Sequence, residues 1–264
     1  MNLPLRVFGA GRPALALHCS LAHGGAFAAL AEALPGWQVT APDLPGHGRA
    51  AVWGGTGDLH DAATRGALEI LRGLGRPVPV IGHSFGATVA LRIALEAPDL
   101  VERLVLFEPV LFSAARAAGG PAFPDHLRNH AAFGAALRAG DRRAAAAAFQ
   151  AIWGAGQPFD SLAESQQSYI ADRIHLIEAQ NAVLVDDNAS LLDHGRLESL
   201  GLPVLLVQGA LSPPIIGAIH DELARRLPQV SRATVAGAGH MLPITHAGDC
   251  AGLVQEFAAS PLQA

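Results

Sequence analysis

The sequence predicts an α/β protein with a mostly parallel central sheet, helices on both faces and an inserted helical cap. Three observations predict it. Short apolar runs alternate with helix-like segments at both ends of the chain. The stretch 111–198 between them carries helical patterns but no strand pattern. The turn Gly82-His83-Ser84-Phe85-Gly86 joins a strand-like run to a helix-like one.

In chain order, residues 14–18 read as a buried strand ending in a Cys-Ser-Leu turn, and 25–34 have helical spacing. Residues 37–41 are strand-like and are closed by Pro42-Asp43-Leu44-Pro45-Gly46-His47-Gly48, a dense turn signal. A helix over 59–74, a buried strand over 78–81 and a helix over 85–96, stopped ahead of Pro98, come next. Residues 104–107 form the following strand. The middle reads as helices over 128–138, 141–153 and 161–185. Strands near 203–208 and 233–236, with helices over 215–227 and 247–258, restore the alternation. The expected division is a core of residues 1–110 and 199–264 with a cap over 111–198.

Composition narrows the function classes. Half of the 264 residues are apolar and 16% are charged, as in a folded globular chain. A formal net charge of −5 gives no basic footprint, so nucleic acid is not an expected partner. Cys19 and Cys250 are too few for a disulfide framework or a zinc site. The start, Met1-Asn2-Leu3-Pro4-Leu5-Arg6, lacks a basic segment leading into an apolar run, and no stretch approaches the ~18 apolar residues of a membrane span. The expectation is a cytoplasmic enzyme acting on a small molecule, with no metal, cofactor or membrane partner. Its oligomeric state is left open.

The Gly-x-Ser-x-Gly turn carries the chemistry. Small residues on both sides let the backbones approach, and the strained turn presents the Ser84 hydroxyl at the top of the sheet. The helix behind it aims its amide end at the same place, favouring developing negative charge. A serine hydroxyl needs a base. Of 12 histidines, His240 follows the last strand in the flexible loop Gly237-Ala238-Gly239-His240-Met241.

These pieces resemble the α/β-hydrolase fold family over nearly the whole chain. The matching motifs are His18-Cys19-Ser20, Asp43-Leu44-Pro45-Gly46-His47-Gly48, Gly82 to Gly86, and Gly237-Ala238-Gly239-His240. The resemblance implies a Ser84 nucleophile and a His240 base. It also implies an oxyanion hole formed by the amides of Ser20 and Phe85. Cys19 stands where the family usually has glycine, so Leu21 remains an alternative to Ser20. His18 is expected to brace its loop, Asp43 and His47 to shape theirs, and His83 to pack against the pocket. A bulky thiol reagent is expected to inhibit through Cys19.

The acid is the difficult assignment. The family's usual place falls in Gly209-Ala210-Leu211-Ser212-Pro213-Pro214, which holds no carboxylate. Some members carry the acid after the strand that follows the nucleophile helix. Glu108, in Leu106-Phe107-Glu108-Pro109, fits that pattern, and a glutamate behind three apolar residues needs a partner. Asp186, Asp187 and Asp221 are the remaining candidates.

The expected function is hydrolysis of a carboxylic ester or lactone through an acyl-enzyme. A thioesterase or a carbon–carbon bond hydrolase would use the same constellation. A non-catalytic ligand-binding protein is the competing class, supported by the empty acid position near Ser212. Dehalogenases and epoxide hydrolases of this fold need aspartate at the elbow, which Ser84 argues against. In the cap, Phe112, Phe123, Phe133, Trp153, Phe159, Ile174 and Ile177 are candidate pocket walls. Arg116, Arg128 and Arg173 are expected at the solvated surface.

Overall fold

The structure, a computed structural model, describes residues 3–154 and 156–261. Its first part runs β1 (Leu5–Gly9), β2 (Arg12–Leu17), α1 (Ala28–Glu32), β3 (Trp37–Pro42), α2 (Leu59–Gly73), β4 (Val78–His83), α3 (Phe85–Glu96) and β5 (Val101–Phe107). Helices alone follow among the described residues: α4 (Phe112–Ala118), α5 (Ala122–Asn129), α6 (Ala131–Arg138), α7 (Arg142–Trp153), α8 (Glu164–Arg173), α9 (His175–Ala179) and α10 (Asn181–Leu184). The chain then closes with β6 (Val204–Gly209), α11 (Pro214–Arg226), β7 (Val230–Val235), α12 (Leu242–Thr245) and α13 (Ala247–Ala259).

The strands of the described residues lie in the order β1-β3-β2-β4-β5-β6-β7. All neighbours are parallel except β1, which runs antiparallel to β3 from Leu5↔Pro42 to Gly9↔Gln38. Successive side chains of a strand point to opposite faces, and the core divides accordingly. Leu15, Leu17, Val80, Leu104 and Leu206 pack with α2, α3 and α11. Ala14, Ala16, Ile81, Val105 and Val207 pack on the other face with Leu30 of α1 and Val254 of α13.

The topology selects one place for a site. From β2 the chain crosses to β3 on one side and returns to β4 on the other. The loops leaving the carboxyl ends of β2 and β4 therefore diverge, and a crevice opens between them. Ser20 follows β2 and Ser84 follows β4.

Several elements differ from the sequence expectation. Strand β1 was not anticipated, because Leu5 and Val7 on this sheet edge are 45% and 56% exposed and the usual apolar-in pattern is absent. Strand β7 starts at Val230, ahead of the expected 233. The helix expected over 128–138 breaks at His130 between α5 and α6, and that expected over 161–185 is divided into α8, α9 and α10. Apolar periodicity continues across such breaks, since the turns between the helices are single residues.

The helical stretch is anchored at both ends in the main core, where α4 packs on α11 and Leu191, Leu197 and Leu200 are buried. Between those ends, Phe133, Ala145, Ala146, Phe159, Ala171 and Ile174 form an apolar cluster of their own. No helix among the described residues is long and apolar enough to cross a membrane.

Candidate active site

Ser84 sits between β4 and α3 with φ 56° and ψ −116°, a conformation uncommon for a residue with a side chain. Its amide donates to the Phe107 carbonyl at 2.9 Å, which ties the turn to β5, and its own carbonyl accepts from Ala87 and Thr88. The two flanking glycines are needed for contact rather than flexibility. A Cβ on Gly82 would lie 2.4 Å from the Cα of Ala87, and one on Gly86 would lie 2.1 Å from the Leu17 carbonyl oxygen. The turn thus packs directly against the end of β2.

The chain brings Ser84, His240 and Glu108 together from three distant positions. His240 Nδ1 lies 2.6 Å from Glu108 Oε2, and His240 Nε2 lies 2.9 Å from Ser84 Oγ. An ionised carboxylate can only accept, so Nδ1 carries the proton and Nε2 faces the serine hydroxyl as an acceptor. Glu108, at the end of β5, is fully buried with φ 48°. Its second oxygen accepts from the Gly209 amide at 2.7 Å and from the Ser212 hydroxyl. Burial pushes the carboxyl pKa up, but His240 and these two donors outweigh it and hold the group below the usual range. Ser212 therefore occupies the place where a carboxylate is missing from the sequence and hydrogen-bonds the one that replaces it.

Two further rings hold His240. The His83 imidazole donates to the His240 carbonyl at 2.8 Å. Burial, then the neighbouring His240, pushes the His83 pKa down to about 3, so it stays neutral there. Trp153 of α7 meets the His240 ring edge-on at 4.5 Å. The other acid candidates lie elsewhere. Asp187 accepts from the amides of Leu191 and Leu192, Asp186 is exposed, and Asp221 is exposed and pairs with Arg232.

The loop after β2 faces the same crevice. The amides of Ser20 and Phe85 have no backbone acceptor among the described residues. Ser20 Oγ donates to Gln180 Oε1 at 2.8 Å, and Leu21 adopts φ 60°. His18 braces this loop: its Nδ1 donates to the Cys19 carbonyl and its Nε2 accepts from the Leu44 amide at 2.9 Å. Asp43 accepts from the amides of Gly24 and Arg49 and from the guanidinium groups of Arg49 and Arg6. His47 donates within its own turn, to the Pro45 carbonyl. Tyr169 of α8 joins the two loops, accepting from Gly48 and donating to the Ala22 carbonyl, both at 2.8 Å. Cys19 is 3% exposed, and burial pushes its thiol up to about 12. Both features weigh against the expected reaction with a bulky thiol reagent, because a buried neutral thiol is a poor nucleophile, although Cys19 borders the larger cavity at Ser84.

Two cavities meet at Ser84. One, of about 130 Å³, is walled chiefly by Phe112, Phe133, Phe149, Trp153 and Ile177. The other, of about 350 Å³, opens toward Leu21, Gln150, Gln157, Met241 and Thr245. Of the expected wall residues, Phe159 and Ile174 belong instead to the separate apolar cluster, and Phe123 packs on the main core. Arg116 and Arg128 are exposed, while Arg173 is half-buried with its guanidinium 3.9 Å from the centre of the Tyr169 ring. Sequence reasoning missed His126, His130 and Gln180, which also line the first cavity. The spacing of the two histidines, one helical turn apart, was the available signal.

The chain is similar to known proteins in the same regions. A family model described as the alpha/beta hydrolase fold matches residues 13–247. A pimeloyl-[acyl-carrier protein] methyl ester esterase of Neisseria meningitidis is 30% identical over 242 residues, covering 84% of this chain and 68% of that protein. The lipase LipV of Mycobacterium tuberculosis is 40% identical over 116 residues, which span 42% of this chain and only 43% of the lipase. An alpha/beta hydrolase from Sphaerobacter thermophilus superposes with a TM-score of 0.74 at 26% identity, covering 97% of this chain and 96% of its own.

Proposed function

The chain belongs to the α/β-hydrolase fold family and is a carboxylic-ester hydrolase, and from that premise we propose that it cleaves a small-molecule ester through a covalent intermediate on Ser84. The observation that carries this reading is the continuous relay Ser84–His240–Glu108, at 2.9 and 2.6 Å. In it Ser84 Oγ attacks the ester carbonyl while His240 Nε2 takes its proton. The carbonyl oxygen gains charge and is held by the amides of Phe85 and Ser20, with the α3 amide end behind them. His240 returns the proton to the departing alkoxide, leaving an acyl-Ser84 and a free alcohol. Water, deprotonated by the same nitrogen, then releases the acid. Glu108 keeps His240 in the required tautomer and balances the imidazolium as it forms.

Residues 111–198 act in this reading as a cap over the core of residues 1–110 and 199–264. Trp153 and Phe149 from the cap wall both cavities at Ser84, which supports shielding of the acyl-enzyme from bulk water. The apolar cavity suits the acyl chain, and the larger one suits the leaving alcohol. The non-catalytic alternative rested on the empty acid position near Ser212, and the contact between Glu108 and His240 removes that support.

A fluorophosphonate probe and a nitrophenyl ester test the proposal. The wild-type protein should be labelled and should turn the ester over. Ser84→Ala should abolish labelling and lower kcat by about 10⁶-fold. An unlabelled, inactive wild-type protein refutes the serine-esterase reading. A panel of esters, lactones and thioesters compared by kcat/KM then separates ester cleavage from its lactonase and thioesterase variants.

A further inference from the structure

We propose that the cavity beside Ser84 selects acyl groups bearing a neutral hydroxyl or keto group, and that His126 is the residue that recognises it. This rests on the serine-esterase reading and names its substrate class. His126, in α5, is 9% exposed and lines the cavity. Its ring packs against Phe112 at 4.2 Å and against His130 at 4.0 Å. Neither of its ring nitrogens has a hydrogen-bond partner among the described residues, and neither is fully sealed by protein. An unpaired polar ring on an otherwise apolar cavity wall is open to a polar partner from a ligand.

His130, one turn along, shows the contrast. Its Nδ1 donates to the His126 carbonyl at 2.9 Å and its Nε2 accepts from the Trp153 indole at 2.8 Å. Both nitrogens are used, so His130 is a bracket, whereas His126 keeps both nitrogens free; the amide nitrogen of Gln180 is a second unpaired donor among the residues lining this cavity. The indole that His130 holds also connects the site to His126. The Trp153 ring is 4.5 Å from His240 and 6.2 Å from His126. In this proposal an acyl chain leaves the Ser84 ester along the indole toward His126, in a cavity also lined by Phe133, Phe149 and Ile177.

The charge of the cavity decides between ligands. Burial, then the neighbouring His130, pushes the His126 pKa down to about 3, so the ring is neutral at ordinary pH. No arginine lines the cavity. A carboxylate would find no countercharge. A neutral imidazole offers one donor and one acceptor, which a hydroxyl satisfies in both directions and a ketone in one.

The test uses methyl esters of medium-chain acids in matched sets, each with a hydroxyl, a keto group, a carboxylate or only hydrogen at successive chain positions. Binding is read by calorimetry on the Ser84→Ala protein, so that turnover does not enter. At one position the hydroxy or keto ester should bind about tenfold more tightly than the plain ester, and the carboxylate should bind more weakly. His126→Phe in the same background should erase that preference, and His126→Gln should restore part of it. In the protein with Ser84 intact, the kcat/KM ratios should follow. Equal binding of hydroxy and plain esters at every position overturns the proposal, as does a preference that survives His126→Phe. A binding preference without turnover in the intact protein sinks the esterase reading and leaves the role of His126 standing.

Discussion

The two walls of the site are built by different means. On the sheet side, each group of the relay is tied to main-chain atoms. Ser84 is held in a strained turn, Glu108 accepts a main-chain amide, and the His240 carbonyl is tied to His83. On the helical side, side chains fix side chains: Trp153 leans on His240 and donates to His130, while Gln180 accepts from Ser20. Under the proposed function, the sheet side sets which bond is broken and the helical side which molecule presents it. Substitutions on the first should change rate for every substrate, and those on the second should reorder substrates.

Apart from loss of the Ser84 hydroxyl itself, the largest effect is expected at Glu108. Glu108→Gln keeps the shape but loses the charge and the tautomer control, so kcat should fall by about 10⁴-fold with the circular dichroism spectrum unchanged. Asp187→Asn, whose parent carboxylate caps only the 190–192 turn, should leave kcat within a few-fold. If the two variants exchange these outcomes, the acid belongs to the helical side and the contrast fails.

A second effect concerns stability on the sheet side. Burial raises the pKa of Asp43, but the amides of Arg49 and Gly24 and the charges of Arg49 and Arg6 bring it down to about 2. A carboxylate depressed from its unfolded value of 3.8 stabilises the fold above about pH 4 and loses that contribution as pH falls toward 2. The shift corresponds to about 2 kcal/mol. Urea unfolding across this range should show that acid-side loss, and Asp43→Asn should flatten it. An unchanged slope in the variant would mean that other carboxylates carry the loss.

The smallest effect is expected at Tyr169, the link between the two walls. Tyr169→Phe removes the hydroxyl that touches Gly48 and Ala22. It should cost about 1 kcal/mol in urea unfolding, with kcat/KM changing more for bulky esters than for nitrophenyl acetate. Equal changes for both would show that the link sets the catalytic loops rather than access over them.

The contrast also governs what a sequence reader can see. The positions of Ser84 and His240 are legible because a strained turn and a reaching loop both require glycines nearby, and those leave a local pattern. Glu108 is legible less directly, through the absence of a carboxylate in 209–214 and its own place behind the apolar run that ends at Phe107. That Ser212 would donate to it has no local signal at all, since the two meet across neighbouring strands. The presence of parallel strands follows from alternating apolar runs, whereas β1 lies on an edge where its aliphatic side chains face water. On the helical side, breaks at His130 and Ile174 preserve apolar periodicity and so pass unnoticed. The partners of His126 and Gln180 depend on how those short helices are set against one another, which no spacing encodes.

The contact between Gly86 and β2 has a consequence for how this molecule tolerates change. The hydrogen on the Gly86 α-carbon occupies the gap where any larger substituent would meet the Leu17 carbonyl. Leu17 lies three residues before Ser20, and Phe85 lies one residue before Gly86. The distance between the two proposed oxyanion donors is thus calibrated by the width of a single hydrogen atom. Even alanine at 86 would force the turn and the end of β2 apart, and with them the two proposed donors.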